Sequence, residues 1–313
     1  MHRIAFVVSA GFQAISLAAL SAFEMANLTT DKARYDVRLL SARGGPIAAS
    51  LPGLAVQTRA IDKARYDTVI FGGGVVVSPA PAAVLQFARR SLDRARRVAA
   101  ICTGAFVLAE AGVLDGRQVT THWAAAEDLQ ARYPPLEVDA DRIFIVDGPV
   151  WTSAGATAGV DLALGMVEED LGTQVARLVA RKLVVYHRRA GGQSQHSALL
   201  EMEAKSDRVQ LALDFAKRNI GKAELDVEQL AAAARLSPRQ FSRVFRAETG
   251  RTPAKAVESL RVEAARLMME QTHHPIDVIA SETGFGDSER MRRAFLRAFG
   301  QSPQSLRRLM HAA

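Results

Sequence analysis

The chain has 313 residues, of which 49% are hydrophobic and 23% charged, and its net charge is +7. This length exceeds what one hydrophobic core usually supports, so two domains are expected. A single cysteine excludes an intramolecular disulfide and suits a reducing compartment, and no apolar run reaches the roughly 18 residues needed to span a bilayer.

The opening residues superficially fit a secretory signal, because His2 and Arg3 precede an apolar run that continues to Ala22. The run is interrupted by the segment Gly11-Phe12-Gln13. A strand, a turn and a helix at the start of an α/β domain explain the same residues. We expect this second interpretation to hold.

Short apolar runs alternate with helical stretches through the first half of the chain. The predicted strands are Ile4–Val8, Val37–Leu40, Thr68–Phe71, Val98–Ile101 and Ile143–Val146. The predicted helices are Ala80–Arg90, Thr103–Ala111, Gly159–Glu169 and Thr173–His187. This alternation predicts an α/β domain over residues 1–187 with a mainly parallel, flavodoxin-like sheet.

Cys102 lies between a predicted strand and a predicted helix, where backbone N–H groups and the helix dipole can stabilise a thiolate. Gly72-Gly73-Gly74 follows the neighbouring strand and can supply further donors to the crevice where open α/β sheets bind ligands. We expect a pocket at this edge, and its candidate residues are Gly73, Gly74, Cys102, Thr103, His122 and Ser153. The alternatives are a Cys102 that fills the core as a small hydrophobe and a His122 that only packs.

A polar, glycine-containing stretch follows, and we interpret residues 188–206 as a linker. The charge changes at about the same place. Residues 1–176 hold 16 Lys+Arg against 18 Asp+Glu, whereas residues 177–313 hold 24 against 15. A basic excess confined to one half favours a polyanionic partner, although a solvated helical surface would have the same composition.

The C-terminal region, residues 207–313, contains an internal repeat. Arg243, Phe245, Gly250 and Thr252-Pro253 recur about 50 positions later as Arg293, Phe295, Gly300 and Ser302-Pro303. Each copy has a short helix, a tight break and a second helix, which is the order of a helix-turn-helix. The short helices are predicted at Val227–Ala234 and Ile276–Thr283. A connecting helix is predicted from Thr252-Pro253 to about Glu270.

The second helix of each copy has an apolar stripe and a charged face. Phe241, Val244 and Phe245 form the stripe in the first copy, opposite Arg239, Arg243 and Arg246. In the second copy, Met291, Ala294 and Phe295 form the stripe, with Glu289 and Arg293 outward and Arg290 and Arg292 on the flanks. An outward arginine can bind guanine through two hydrogen bonds, so both faces predict binding to double-stranded promoter DNA.

The segment G-F-G-D-S-E-R-M-R-R-A-F-L-R-A-F-G-Q-S-P at 284–303 resembles the signature of the AraC/XylS family of bacterial transcriptional regulators. The resemblance implies that Arg239, Ser242 and Arg243 read bases in the first copy and that Glu289 and Arg293 do so in the second. Glu289 is acidic where the family commonly has an amide, so its base preference is open.

Residues 98–123, V-A-A-I-C-T-G-A-F-V-L-A-E-A-G-V-L-D-G-R-Q-V-T-T-H-W, and 152–164, T-S-A-G-A-T-A-G-V-D-L-A-L, resemble the ThiJ/PfpI superfamily of the class I glutamine amidotransferase-like fold. Together the two halves resemble the GlxA subgroup of AraC/XylS regulators. That resemblance implies a sensor for a small nitrogenous metabolite, and a homodimer formed through the N-terminal domain.

The same resemblance argues against catalysis by Cys102. The protease-like branch has histidine after the cysteine, where this chain has Thr103, and the hydratase-like branch has an N-terminal aspartate, where this chain has Ser16. Glu24 is more simply a solvated side chain. We expect no enzyme activity, no cofactor and no metal site, with a cysteine-dependent hydratase or amidase as the competing class.

The sequence therefore predicts a cytoplasmic, metabolite-responsive transcriptional regulator that binds promoter DNA and has no membrane partner. Contact with RNA polymerase is left open.

Overall fold

A computed structural model describes residues 1–155, 157–185, 195 and 206–311. The chain divides into two compact units, Met1–Gln195 and His196–Ala313. Of the linker predicted at 188–206, Gln195 and Ser206 lie within the described residues and the others lie outside them. In the part described, no helix is long and apolar enough to cross a membrane.

The first unit is built on a mainly parallel sheet, as predicted. Its strands are β1 (His2–Val7), β2 (Tyr35–Ser41), β3 (Gly45–Ala48), β4 (Ala55–Ala60), β5 (Thr68–Phe71), β6 (Arg97–Ile101), β7 (Gln118–Val119), β8 (Glu137–Val138), β9 (Phe144–Asp147) and β10 (Val150–Ser153). The order in the sheet is β3-β4-β2-β1-β5-β6-β10-β9, with β3 antiparallel to β4 and β9 antiparallel to β10. The short strands β7 and β8 pair separately. The antiparallel edge strands flank a parallel centre that the apolar runs had indicated.

Helices cover both faces of this sheet. They are α1 (Leu20–Thr29), α2 (Ala82–Arg94), α3 (Gly104–Glu110), α4 (Trp123–Arg132), α5 (Ala158–Leu171) and α6 (Thr173–Lys182). The apolar N-terminal run is strand β1, a 3-10 turn at Ala14–Ala19 and helix α1, which agrees with the interpretation as folded structure.

Helix α6 ends before the predicted boundary at His187. Its last residue is Lys182, and Val184 has a φ of +55°. The N–H of Val184 donates to the carbonyl of Arg181 at 3.1 Å, and the N–H of Val185 donates to Ala180 at 3.0 Å. This left-handed termination uses the helix's last free carbonyls, so the prediction through His187 was too long.

The central strands are buried on both faces, as parallel strands covered by two helical layers must be. On β6, Val98 and Ala100 face one apolar cluster, whereas Ala99 and Ile101 face the other. Every residue of β6 is buried. The strand therefore holds Cys102, its C-terminal neighbour, in a position fixed from both sides.

A buried ion-pair network anchors the start of β6. Arg97 is 2% exposed and donates to Asp170 Oδ2 at 2.6 Å and to Glu169 Oε2 at 2.9 Å. Asp170 also binds Arg96 and accepts a hydrogen bond from the Tyr35 hydroxyl at 3.1 Å. Burial and the charge of Asp170 raise the pKa of Tyr35. These contacts tie β6 and β2 to the end of α5.

The second unit is helical among its described residues. Its helices are α7 (Asp207–Arg218), α8 (Val227–Ala233), α9 (Pro238–Thr249), α10 (Pro253–Gln271), α11 (Ile276–Glu282), α12 (Ser288–Phe299) and α13 (Pro303–His311). Side-chain caps explain the predicted starts. Ser237 and Gln240 form a capping box on α9, Thr252 caps α10, and Asp287 caps α12.

The second unit has two apolar cores that share helix α10. The first core contains Phe241 and Phe245 of α9, and the second contains Met291 and Phe295 of α12. Helix α10 supplies Ala256, Val257 and Leu260 to the first core and Val262, Ala265 and Met269 to the second. Each core belongs to one copy of the sequence repeat, and each copy is a helix-turn-helix.

Candidate ligand site and nucleic-acid interface

Cys102 adopts a left-handed backbone conformation at the turn between β6 and α3, with a φ of +57°. A non-glycine residue rarely adopts this conformation, so the surroundings must fix it. The N–H of Cys102 donates to the Ser153 carbonyl at 3.0 Å, and the Cys102 carbonyl accepts from Thr121 Oγ1 at 2.8 Å. The sharp turn predicted from the sequence is therefore present and held by two neighbouring segments.

Gly155 packs directly against the cysteine. A Cβ atom at position 155 would lie 2.6 Å from Cys102 Cβ and 2.8 Å from its Sγ. Only glycine allows this approach, and Gly155 also has a φ of +121°. The candidate residues chosen from the sequence omitted Gly155, although it lies in the quoted segment T-S-A-G.

Thr103 joins the glycine loop to the cysteine turn. Its hydroxyl donates to the Gly74 carbonyl at 2.7 Å and accepts from the Gly74 N–H at 2.9 Å. A Cβ atom at Gly73 would lie 2.8 Å from the Thr103 nitrogen. The structure thus brings Gly73, Gly74, Cys102 and Thr103 together, but the Thr103 hydroxyl serves the loop and is less available to a ligand.

Ser153 and His122 occupy different settings beside this turn. The Ser153 hydroxyl is fully buried and has no hydrogen-bond partner within the described residues, whereas the Ser153 carbonyl holds Cys102. His122 is half-buried and caps α4, since its Nδ1 accepts from the Ala124 N–H at 3.3 Å. The capping contact gives His122 a structural role that the sequence pattern had left open.

The surroundings of Cys102 disfavour ionisation of its thiol. The residue is 5% exposed, and burial raises the pKa of the Cys102 thiol, while hydrogen bonds from the backbone and side chain of Thr103 act in the opposite direction. Ser16, at the position of the hydratase-like aspartate, donates to the Gln13 carbonyl at 2.6 Å. Glu24 is exposed on α1. These surroundings favour a thiol over an activated thiolate.

Gln195 binds the rim of this region. Its Nε2 donates to the Thr121 carbonyl at 2.7 Å and to Thr120 Oγ1 at 3.1 Å, and its Oε1 accepts from the Trp123 N–H at 2.9 Å. The linker prediction did not include such an attachment. A glutamine in a polar stretch carries no sequence signal for it.

Helix α9 presents the predicted arginine face. Arg239, Arg243 and Arg246 are exposed, whereas Phe241 and Phe245 are buried. Ser242 is half-buried. The capping box fixes the start of α9. The three guanidinium groups therefore project from one face of this helix.

Helix α12 presents the second charged face, with Glu289, Arg290, Arg292 and Arg293 exposed. Glu289 accepts two hydrogen bonds from Arg292, at 2.7 and 2.9 Å, and lies 3.9 Å from Arg293. These guanidinium groups hold the pKa of Glu289 below its usual range. The sequence predicted Glu289 as an outward, base-reading residue and Arg292 as a flanking one. In the structure, the two side chains form an ion pair.

Among the described residues, no group of three or more His, Cys, Asp and Glu side chains is arranged to hold a metal ion.

Both halves of the chain match known protein families or domains. Residues 2–169 match the DJ-1/PfpI family, and residues 230–309 match a helix-turn-helix domain. The HTH-type transcriptional regulator CdhR of Pseudomonas aeruginosa is 32% identical over 208 residues, which are 66% of this chain and 62% of that protein. The HTH-type transcriptional regulator GlxA of Rhizobium meliloti is 34% identical over 206 residues, which are 66% and 63% of the two chains. Each alignment covers less than two thirds of the relative.

Two further similarities bear on fold and chemistry. The isonitrile hydratase of Pseudomonas putida is 43% identical over 82 residues, which are 26% of this chain and 35% of the hydratase. The crystal structure of an AraC family transcriptional regulator from Pseudomonas putida has a TM-score of 0.54 at 22% identity, covering 58% of this chain and 100% of that chain. At this identity the second similarity shows a shared fold.

Proposed function

Because the chain belongs to the DJ-1/PfpI family and also carries an AraC-type helix-turn-helix domain, we propose that it is a sequence-specific DNA-binding transcriptional regulator that responds to a small metabolite. In this proposal, residues 1–187 are the sensor, residues 188–206 the linker and residues 207–313 the DNA-binding domain. The regulator acts in the cytoplasm, where promoter DNA is accessible.

The observation that carries the proposal is the pair of exposed arginine faces. Arg243 on α9 and Arg293 on α12 occupy equivalent positions of the two repeats, and both are exposed. Both helices keep their apolar stripes in separate cores, so the charged faces are free to enter major grooves. A base-reading arginine typically contributes about 1–3 kcal/mol of discrimination.

Measured binding of the full chain to its genomic sites tests the proposal. Mapping these sites and measuring affinity by fluorescence anisotropy should show that Arg243→Ala and Arg293→Ala each cost about 1–3 kcal/mol and relax selectivity at one base position. Arg94→Ala, which removes an exposed arginine from α2, is the matched control and should leave affinity unchanged. Unchanged affinity and selectivity in both α9 and α12 variants would contradict the proposal.

The effector site that we propose is the turn around Cys102, with Gly73, Gly74 and Thr103 on one side. The unpartnered, buried Ser153 hydroxyl supports this assignment, because a buried polar group without a partner is costly unless something binds it. We place His122 at the rim of this site, where its ring also caps α4. A nitrogenous ligand with an N–H donor suits the Ser153 hydroxyl, which can accept a hydrogen bond.

Thermal shift of the full chain with a panel of small amines and amides tests the effector site. A stabilising compound should lose its effect in Ser153→Ala, whereas Cys102→Ser should retain DNA affinity because the two sites belong to different units.

We further propose that the sensor pairs two chains and that RNA polymerase is a downstream partner. Light scattering of the purified chain tests the pairing of two chains. We expect the mass of a dimer, and the mass of a monomer would contradict the proposal.

A second candidate function is a cysteine-dependent hydratase or amidase. The left-handed turn at Cys102 and the local similarity to an isonitrile hydratase favour it. The raised pKa of the Cys102 thiol and the serine at position 16 argue against it. Assays with isocyanide, amide and glyoxal substrates decide the matter, since turnover that disappears in Cys102→Ala would establish the enzyme.

A further inference from the structure

The two helix-turn-helix copies have the same left-handed turn but different residues in it. Arg235 follows α8 with a φ of +55°, and Gly284 follows α11 with a φ of +77°. The hydrogen bonds correspond. Arg235 and Gly284 donate to carbonyls three residues earlier at 3.0 and 3.1 Å, and the next residues, Leu236 and Phe285, donate to carbonyls five residues earlier at 2.9 Å each. The fold therefore tolerates a side chain at this turn, so backbone conformation alone does not require glycine at 284.

A close contact with the segment between α7 and α8, which leads into the first copy, does require it. A Cβ atom at position 284 would lie 2.2 Å from the Ile220 carbonyl oxygen and 2.8 Å from Arg261 Nε. Ile220 belongs to the segment that follows α7. The reciprocal contact is similarly tight, because a Cβ atom at Gly221 would lie 2.6 Å from the Glu282 carbonyl oxygen. Two glycines thus allow the backbone of the second copy to touch the segment between α7 and α8, whose Ile220 packs on the core of the first copy.

Arg261 of the shared helix α10 completes this contact. Its Nη2 donates to the Lys222 carbonyl at 2.7 Å, and its Nε lies beside Gly284. Burial, and secondarily the positive charge of Arg290, lowers the pKa of Arg261. We call the set Ile220, Gly221, Lys222, Arg261, Glu282 and Gly284 the inter-repeat contact.

The backbone approaches of the inter-repeat contact, Gly284 to Ile220 and Gly221 to Glu282, do not pass through the backbone of α10. Because each copy packs its own core on one half of α10, a bend or twist of α10 would move one core without disrupting the other. A second attachment point removes that freedom. Only three residues separate Gly284 from the first residue of α12, so a shift of the turn moves α12 with it.

We infer that the inter-repeat contact fixes the orientation of α12 relative to α9, and that it thereby determines which spacing between two DNA half-sites the chain accepts. This inference rests on the proposed DNA binding. It assigns specificity to residues that need touch no base, since half-site spacing follows from the geometry of the two reading helices.

Gly284→Ala is the direct perturbation. A backbone oxygen cannot rotate away from the new Cβ atom, so the turn must move by about 1 Å to restore an ordinary contact distance. Gly286→Ala is the matched control, because Gly286 lies in the same turn with a φ of +80° and has no atom within 4 Å of a Cβ position. Both variants introduce left-handed strain, but only Gly284→Ala disrupts the inter-repeat contact.

Binding to a series of duplexes tests the inference. The series keeps both half-sites and changes their separation one base pair at a time, with a single half-site as reference. Gly284→Ala should lose about tenfold or more at the preferred spacing relative to the single half-site, whereas Gly286→Ala should keep the spacing profile. An unchanged profile in a folded Gly284→Ala chain would overturn the inference.

A measurement without DNA separates this inference from the proposed function. Cys102→Ser removes the sole cysteine, and Ala247→Cys on α9 with Ala298→Cys on α12 provides two exposed positions for spin labels. Gly284→Ala should shift or broaden the label-to-label distance in the full chain. If the parent chain has no preferred DNA sequence but this distance changes, the proposed function fails and the inter-repeat contact stands.

Arg261→Met provides a second variant if Gly284→Ala does not fold. It keeps most of the side-chain volume but removes the hydrogen bond to the Lys222 carbonyl. The label distance should broaden in Arg261→Met as well. A distance distribution that matches the parent in both variants would show that α10 alone sets the geometry.

Discussion

Asp170→Asn tests whether the buried charges beneath β6 stabilise the first unit. The Asp170 side chain is 0% exposed, and it binds Arg97, Arg96 and the Tyr35 hydroxyl. The substitution keeps the shape of the side chain but leaves the guanidinium of Arg97, which is 2% exposed, with only the partly exposed Glu169 as a charged partner. Removing one partner of a buried ion pair typically costs about 3–5 kcal/mol, and the remaining Glu169 contact places the expected loss near 3 kcal/mol.

Urea unfolding, followed by tryptophan fluorescence, measures this loss. Both tryptophans, Trp123 and Trp151, belong to the first unit, so the signal reports that unit. With an m-value of about 2–3 kcal/mol/M, the midpoint should fall by roughly 1–1.5 M. Asp128→Asn is the control, because its pair with Arg132 is exposed on both sides and should contribute at most about 0.5 kcal/mol.

A loss below about 1 kcal/mol in Asp170→Asn would refute the reasoning, because it would mean that Glu169 alone compensates the buried charge of Arg97. The outcome also bears on the effector site that we propose. Arg97 begins β6 and Cys102 follows its last residue, so a loosened β6 should lower the affinity of any effector that binds at the turn.

Three further perturbations have expected outcomes. Because burial raises the pKa of the Cys102 thiol, alkylation by iodoacetamide should reach half of its maximal rate at a higher pH than for an unfolded peptide, and an equal or lower midpoint would contradict the buried setting. Glu289→Gln should release Arg292 to a phosphate and steepen the dependence of log affinity on log salt by about 0.9, whereas an unchanged slope would show that Arg292 meets no phosphate. Ser237→Ala should remove the cap of α9 and cost about 1 kcal/mol in thermal or urea unfolding of the second unit, with Ser242→Ala as a control that has no capping role.

The helices of the second unit were predictable because their signals are local. Caps, apolar stripes and terminal glycines lie within one or two turns of each other, and the boundaries of α8 and α11 differ by one residue from the predicted ones. The apolar runs also predicted the buried strands β1, β5 and β6, but they missed β10, which is buried although Thr152 and Ser153 interrupt its apolar pattern. The edge strand β3 and its neighbour β4 escaped prediction because half or more of their residues are exposed, so they carry no apolar run.

The amino-acid sequence by itself determined the fold class of each half, the arginine faces and the turn at Cys102, since each depends on residues close together in the chain. It also determined the repeat, since the two copies have the same internal spacing. The tertiary structure decided the partners of those residues. Gly155 beside Cys102, Asp170 beneath Arg97 and Ile220 against Gly284 each join segments more than 50 residues apart. Such contacts arise when whole elements pack, and periodicity along the chain contains no information about which distant backbone will fill a given space.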